Sequence, residues 1–164
     1  MQAKLDAHIE RERPRKENED RLVKRVLALQ VELGELANEW QGFKFWRNDQ
    51  EPRTELWDDR LRFHNPLLEE YVDCLHFILS IGLENEVGTF TGDEIMPIKM
   101  GTIEMQFITL FKVTVTFLED ISYYQEMWEF FIGLGEMLGF TWEEVEQAYY
   151  AKNKENHERQ DEGY

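Results

Sequence analysis

Cysteine and proline are scarce in this chain. Its 164 residues include one cysteine and four prolines. A disulfide requires two thiols, so the chain cannot form one within itself. Cys74 lies in an apolar stretch, where a small buried hydrophobic side chain is expected. With so few prolines, long segments are free of the residue that most often interrupts a helix.

Basic residues are also few. The chain carries 18 lysines and arginines against 34 acidic residues, a formal charge of −16. A nucleic-acid-binding surface needs a basic footprint, so the composition argues against a nucleic-acid partner and equally against an anionic membrane surface. The sequence contains neither a signal peptide nor a run of about 20 apolar residues. It therefore predicts a cytoplasmic protein with no membrane association.

The composition is otherwise that of a globular protein, with 42% apolar and 13% aromatic residues. The length fits one domain spanning residues 1–164. Strand-like alternation of apolar and polar residues is rare, and an apolar period of about 3.6 residues prevails. The sequence therefore predicts an all-α helical bundle.

Apolar ridges and capping signals give the helix positions. The longest ridge contains six apolar residues spaced alternately four and three apart: Leu22, Val26, Leu29, Leu33, Leu36 and Trp40. Asn65-Pro66 predicts one helix start, and Thr141-x-x-Glu144 is a capping box that predicts another. The predicted helices cover approximately 2–12, 18–41 (closed by Gly42), 66–84, 102–119, 120–138 and 141–156.

Three segments fall outside this pattern. The stretch 44–66 is polar and irregular, with one helical turn predicted near 56–61. Three glycines and a proline in 86–101 predict a mobile loop. The polar segment 152–164 is predicted to be mobile in the absence of a ligand.

Two pairs of acidic residues stand out, Glu32-x-x-Glu35 and Glu70-x-x-Asp73. Within a helix, residues three apart project from one face. Both pairs are flanked by apolar residues, and acids on an inward-leaning face are costly unless a cation neutralises them. If the two helices face each other, four carboxylates converge. Oxygen ligands in that number suit Mg²⁺ or Mn²⁺ and a phosphate-bearing substrate.

The alternative interpretation is that both pairs are solvated edges of acidic helices, since a single E-x-x-E is common. Two such pairs in apolar surroundings favour the metal site. Its chemistry would be metal-assisted hydrolysis, in which the ion clamps phosphate oxygens and activates a water molecule. A carboxylate not fully engaged by the metal could then act as a general base.

Other candidate residues also have two interpretations. Lys152 and Arg159 near the C-terminus could complement the helix dipole or clamp phosphates, and composition alone does not decide between these. Trp46, in the segment GFKFW with Lys44, could plug a helix end or stack on a base. His76, one turn beyond Asp73, is more often structural than catalytic in such a position.

The chain resembles the all-α NTP pyrophosphohydrolases, and within them the dimeric dUTPases. The superfamily pattern E-x-x-E followed by E-x-x-D is matched by Glu32, Glu35, Glu70 and Asp73. Four further segments resemble the dUTPase family: MQAKLDAHI, ELANEWQGFKFW, EEYVDCLHFILSIGL and KNKENHERQDEGY. The resemblance implies a homodimer that uses Mg²⁺ to cleave dUTP, and often dUDP, releasing dUMP and keeping uracil out of DNA.

The resemblance also implies residue roles. Glu32, Glu35, Glu70 and Asp73 would hold the metal, and Glu32 or Glu35 would orient the attacking water. The residues near the substrate would be Gln2 and Asp6 at the uracil, Lys44 beside Trp46 with Trp46 against the base, His76 at the deoxyribose 3′-hydroxyl, and Lys152, Asn156 and Arg159 at the phosphates.

Two alternatives to a dUTPase remain at this point. One is a MazG-like enzyme that hydrolyses other nucleoside triphosphates. The other is a non-catalytic helical dimer that binds a protein partner through its acidic surface. A homodimer is also favoured by the many large apolar side chains in the second half of the chain, since some of them would complete their burial against a second subunit.

Overall fold

The computed structural model describes residues 1–57, 63–87 and 95–163. Within these residues it has six helices and one short antiparallel pair of strands, in which Leu56 lies opposite His64 and Trp57 opposite Phe63. The elements are α1 Gln2–Glu12, α2 Arg21–Trp40, β1 Leu56–Trp57, β2 Phe63–His64, α3 Pro66–Glu84, α4 Ile103–Glu119, α5 Tyr123–Met137 and α6 Trp142–Asp161. The predicted all-α fold is confirmed.

The packing of α2 on α3 forms the centre of the molecule. The predicted ridge of α2 faces this contact: Leu29 and Leu36 are fully buried, and only Leu22 at its start is partly exposed. Each fully buried leucine stabilises the fold by about 1.5–3 kcal/mol relative to an exposed one. The burial of these leucines therefore stabilises the contact between α2 and α3.

The remaining helices cover this pair on two sides. The α4–α5 hairpin packs mainly on itself and contacts α2 and α3, while α6 lies against α3 and α1. One continuous apolar core runs from Val26 on α2 to Tyr149 on α6. No helix among the described residues has the length and apolarity required to cross a bilayer.

The ends of α2 differ from the prediction. Asn18 has a left-handed backbone, with φ of 60°, so the helix begins only after Asp20, whose side chain caps it by accepting from the Val23 amide. At the other end, Gln41 and not Gly42 takes the left-handed conformation, with φ of 63°. The buried side-chain amide of Gln41 donates to the Glu51 carbonyl. A contact outside the helix therefore contributes to where α2 ends.

Helix α6 extends to Asp161, five residues beyond its predicted end. The predicted capping box is present, with Thr141 and Glu144 bonded reciprocally. Helix α5 begins at Tyr123, three residues later than predicted. Residues 152–161 are thus helical here, and their mobility without a ligand stays a prediction.

Two segments that were predicted to be irregular lie partly within the described residues. The predicted helical turn near 56–61 is wrong where it can be checked, because Leu56 and Trp57 form strand β1; residues 58–62 lie outside the described residues. Of the predicted mobile loop, residues 88–94 also lie outside them. Its second half is held by hydrogen bonds from the Ile98 amide to the Glu129 carbonyl and from the Met100 amide to the Gln106 side chain.

Candidate active site

Three of the four predicted carboxylates converge between α2 and α3. Glu32, Glu70 and Asp73 each offer an oxygen, and these oxygens lie within 4.8 Å of one another. The convergence follows from the apolar packing, because the ridge that buries Leu29 and Leu33 also turns Glu32 toward α3. Glu35, one turn further along α2, is exposed and lies outside this group of described residues.

The carboxylates affect one another electrostatically. Burial, followed by the charges of neighbouring carboxylates, raises the pKa of both Glu32 and Glu70 to about 7. Glu35 contributes to both shifts. Burial likewise raises the pKa of Asp73. A hydrogen bond to Glu70 partly offsets the rise in the pKa of Glu32. The donor set fits a hard divalent cation, whose charge would offset the repulsion between these carboxylates.

A lysine from α6 supplies the nearest positive charge. The Lys152 ammonium donates to Asp73 Oδ2 at 2.6 Å, and both side chains are largely buried. Burial lowers the pKa of Lys152, but the hydrogen bond and charge of Asp73 outweigh it and raise the pKa overall. The predicted phosphate-binding lysine thus lies directly beside the carboxylate cluster.

A cavity of about 550 Å³ opens beside the cluster between α1, α2, α3 and α6. Its lining brings together most of the predicted site residues, which reach it from four helices: Gln2, Asp6, Glu32, Asp73, His76, Asn156 and Arg159. Its size is in the range of ordinary small-molecule sites.

The cavity also has a cationic side that the sequence analysis missed. Arg21, Lys24 and Arg25 on α2 line it. Ion pairs hold all three, for example Lys24 to Glu19 at 2.8 Å and Arg25 to Glu84 at 2.5 Å. Arg25 precedes Glu32 by seven residues, two helical turns on the same face, and that spacing is the signal that would have identified it.

Two further polar residues near the cavity were missed. The Ser80 hydroxyl donates to Asp6 Oδ2 at 2.7 Å, and the Tyr149 hydroxyl donates to Gln2 Oε1 at 3.0 Å. Ser80 follows Asp73 by seven residues, and Tyr149 precedes Lys152 by three. Both spacings put a residue on the face of its helix that carries the predicted site.

The structure does not bring Lys44 and Trp46 to this cavity. Among the described residues, neither contributes to its lining. Lys44 donates to the Asn38 carbonyl at 3.0 Å. Trp46 is 63% exposed and makes edge-to-face contacts with Phe43 and Phe45.

A sequence profile of the family described as dUTPase matches residues 1–164. No curated protein sequence matches the chain significantly. Because the family profile covers every residue, the chain belongs to the dUTPase family, and its activity is that of a dUTP diphosphatase acting on a nucleotide substrate. The family implies a divalent metal cofactor, for which the carboxylate cluster is the candidate site.

The raised pKa values predict how the metal-free protein responds to pH. An unfolded chain releases these protons near the ordinary value of 4.5, whereas folded Glu32 and Glu70 hold theirs to about 7. Between these values the folded state binds more protons, so the free energy of unfolding falls as pH rises. We expect the melting temperature in EDTA to fall from about pH 5 to about pH 8, and to fall less in Glu70→Gln.

Differential scanning calorimetry of the wild type and variants measures this dependence. Glu119→Gln, at the exposed end of α4, is the matched control and should keep the wild-type slope. Equal slopes in Glu70→Gln and the wild type would show that the cluster carries no excess protons.

Proposed function

We propose that this dUTPase uses Mg²⁺ to hydrolyse dUTP to dUMP and pyrophosphate, with Mn²⁺ able to substitute. The observation that carries the proposal is the carboxylate cluster of Glu32, Glu70 and Asp73 at the edge of a nucleotide-sized cavity. Glu35 completes the proposed ligand set from the exposed side of the cluster. When bound, the ion would withdraw electron density from phosphate oxygens and lower the pKa of a water molecule.

The chain's own carboxylates would orient that water. Either Glu32 or Glu35 is proposed to accept its proton, since both lie on the α2 face that carries the cluster. Their environments differ: Glu32 is half-buried with its pKa raised to about 7, whereas Glu35 is exposed. A general base with a pKa near neutrality is well matched to proton transfer at physiological pH.

The phosphate contacts are proposed to come from α6. Lys152, Asn156 and Arg159 follow one another at spacings of four and three and so share a helix face. Asn156 and Arg159 line the cavity, and Lys152 contacts Asp73. Arg159 contacts Glu155 at 2.7 Å on the same helix, an exchangeable partner that a phosphate could replace.

The nucleoside is proposed to lie deeper, against α1 and α3. Gln2 and Asp6 would lie near the uracil and His76 near the deoxyribose, a proposal supported by their shared place in the cavity lining. Trp46, beside Lys44, is proposed to stack on the base, which would require a change in its position because neither residue lines the cavity. A panel of dUTP, dUDP, dCTP and dTTP tests this assignment, and turnover of all triphosphates at similar rates would instead favour a MazG-like specificity.

Replacing one metal ligand tests the cluster. Asp73→Asn keeps the side-chain shape but removes a ligand charge, so we expect kcat/KM for dUTP with Mg²⁺ to fall at least about 10²-fold. Glu69→Gln, one residue from Glu70 and outside the cluster, is the control. Circular dichroism checks that both variants fold, and full activity of the wild type after exhaustive chelation would contradict the metal site.

The same assay distinguishes the two candidate bases. We expect Glu32→Gln and Glu35→Gln both to lower turnover. The residue whose substitution lowers kcat while leaving Mn²⁺ affinity near the wild-type value is the base, and the other acts mainly as a ligand. Isothermal titration with Mn²⁺ supplies the affinity.

Arg159→Ala tests the phosphate contact. Loss of one charge-stabilising contact lowers turnover by about 10²-fold or more, and little change in melting temperature is expected because the side chain is partly exposed. Lys154→Ala is a matched control, since it lies on the same helix with a side chain 79% exposed.

Hydrogen exchange tests the predicted mobility of 152–164 in parallel. The segment should be protected by a non-hydrolysable dUTP analogue with Mg²⁺ and not by uridine. Equal protection with and without the nucleotide would mean that Lys152 and Arg159 only complement the helix dipole.

A homodimer is proposed on the exposed apolar faces of α2 and α4. Val23, Leu27 and Val31 form a stripe at four-residue spacing on α2, and Leu27 is 61% exposed. On α4, Ile108 and Val115 are also exposed, and the Gln30 side-chain amide of α2 donates to the Phe111 carbonyl of this helix. A second copy would bury these side chains, and a stable interface needs about 800 Å² from each partner.

Leu27→Glu tests this surface. A charge placed inside an apolar interface is costly, so we expect the wild type to sediment at twice the chain mass of 19.8 kDa and the variant at the chain mass. Met96→Glu, at a residue 70% exposed away from both helices, is the control. A monomeric wild type at micromolar concentration would contradict the dimer.

A further inference from the structure

A buried chain of hydrogen bonds runs along one side of the cavity. Gln2 Nε2 donates to Asp6 Oδ1 at 2.8 Å, while Gln2 Oε1 lies 2.7 Å from His76 Nδ1 and 3.0 Å from the Tyr149 hydroxyl. The Ser80 hydroxyl occupies the other Asp6 oxygen. Gln2, His76, Ser80 and Tyr149 are each at least 92% buried, so water is largely excluded from the network.

The polarity of this chain of bonds is determined at Asp6. A carboxylate only accepts hydrogen bonds, so the NH₂ group of Gln2 must face it. A flipped amide would set Gln2 Oε1 against a carboxylate oxygen. Gln2 Oε1 therefore faces the other way and accepts from both Tyr149 and His76.

The tautomer of His76 follows from this orientation. Because its Nδ1 must donate to Gln2 Oε1, the neutral ring carries its proton there, and Nε2 bears a lone pair. The stacking of His76 on Tyr149, with centroids 4.4 Å apart, holds the ring plane. Among the described residues, His76 Nε2 is buried and has no hydrogen-bond partner. A buried acceptor without a partner is costly unless a ligand supplies the donor.

The charge states agree with this geometry. Burial, together with the nearby Lys152 charge, lowers the pKa of His76 to about 4, so the ring is neutral at physiological pH. Burial also raises the pKa of Tyr149 to about 12, so its hydroxyl keeps its proton and donates.

We propose that Asp6, Gln2 and Tyr149 are positioning residues that fix His76 as the Nδ1-protonated tautomer, so that its Nε2 accepts a hydrogen bond from the sugar hydroxyl of the nucleotide. The proposal rests on the proposed function of this cavity. It assigns Gln2 and Asp6 a role that acts through His76.

The chemistry of the substrate supports the choice of the sugar. The nucleoside of dUTP has two conventional donors, the single hydroxyl of its deoxyribose and the N3–H of uracil. His76 lies one helical turn from Asp73, beside which the triphosphate is proposed to bind. The sugar is bonded directly to the α-phosphate and the base lies beyond it, so the hydroxyl is the nearer donor.

Asp6→Asn tests this chain of hydrogen bonds. The substitution preserves the shape of the side chain but replaces an acceptor oxygen with a donor NH₂ group. The new NH₂ group can face Gln2, which allows the Gln2 amide to flip and donate to His76 Nδ1, and the ring proton then moves to Nε2. Nitrogen-15 NMR of the imidazole reports this directly. We expect Nδ1–H for His76 in the wild type and Nε2–H in Asp6→Asn, with the resonance assigned from a His76→Asn spectrum.

Kinetics give a second measurement. The wild type should prefer dUTP over the 2′,3′-dideoxy analogue by about 10- to 100-fold in kcat/KM, the range for a hydrogen bond made to a buried acceptor. In Asp6→Asn the sugar hydroxyl would have to change from donor to acceptor to bond with Nε2–H, so the preference should fall, mainly through loss of dUTP turnover. Tyr149→Phe, which keeps the stacked ring, should give an intermediate preference.

The matched control is Glu12→Gln, an acid on α1 that contacts its neighbour Arg11. It should keep both the wild-type tautomer and the wild-type preference. An Nε2–H tautomer in the wild type would overturn the proposal, as would an unchanged preference in folded Asp6→Asn and Tyr149→Phe. A discrimination against N3-methyl-dUTP that these variants abolish, with no effect on the dideoxy analogue, would assign the acceptor to the base instead.

The two measurements also distinguish this inference from the proposed function. The NMR experiment needs no substrate. If the enzyme did not hydrolyse dUTP but showed the predicted change of tautomer, the positioning of His76 by Asp6 and Gln2 would be supported and the substrate assignment would be wrong.

Discussion

The burial of acidic side chains in the contact between α2 and α3 is the constraint on which the rest of the site depends. The same two helix faces supply the fully buried Leu29 and Ile81 of the core and the oxygens of Glu32, Glu70 and Asp73. Apolar packing holds the helices together while their carboxylates repel one another and lose hydration, which raises the pKa of Glu32 and Glu70 to about 7. A cation bound at the cluster would offset this repulsion, so metal binding there would depend on the same interface as core packing.

Much of this could be predicted from the sequence because helical periodicity relates residue spacing directly to position. Glu32, Glu70 and Asp73 were predictable since each lies on the polar edge of an apolar ridge. Glu35 lies three residues from Glu32, as predicted, yet it remains outside the cluster. Residue spacing gives the side of the helix but not the distance of a side chain from the neighbouring helix. Similarly, Trp46 follows α2 closely in sequence but does not line the cavity, because residue spacing no longer relates directly to position once the helix ends at the left-handed Gln41.

Helix α6 is bound to the rest of the molecule differently from α2 and α3. Only three of its twenty residues are buried, Val145, Tyr149 and Asn153, and its contacts with α1 and α3 near the site are polar. Lys152 reaches Asp73, Tyr149 reaches Gln2, and His157 lies 2.8 Å from His8 between ring nitrogens. Of these, the Lys152 contact with Asp73 can be exchanged for contacts with ligand oxygens at small net cost, provided that each charged group keeps a partner. A helix held in this way can bind phosphates with the same groups that hold it when the substrate is absent.

A strongly acidic chain must still attract a highly anionic substrate. The local charge distribution answers this requirement, because Arg21, Lys24, Arg25 and Arg159 line the cavity while the overall charge is −16. Glu19 and Glu84 pair with the α2 cations from the side. The hydrogen bond from Lys24 is the main cause of the lowered pKa of Glu19, whereas Arg15, followed by Arg25, lowers the pKa of Glu84. The ion pairs hold the guanidinium and ammonium groups in place and partly neutralise their charge. A cavity with positive walls and a cluster of carboxylates beside it attracts a triphosphate most strongly once a divalent cation has offset the carboxylates. The electrostatics of this site therefore favour the nucleotide and the metal binding together over either binding alone.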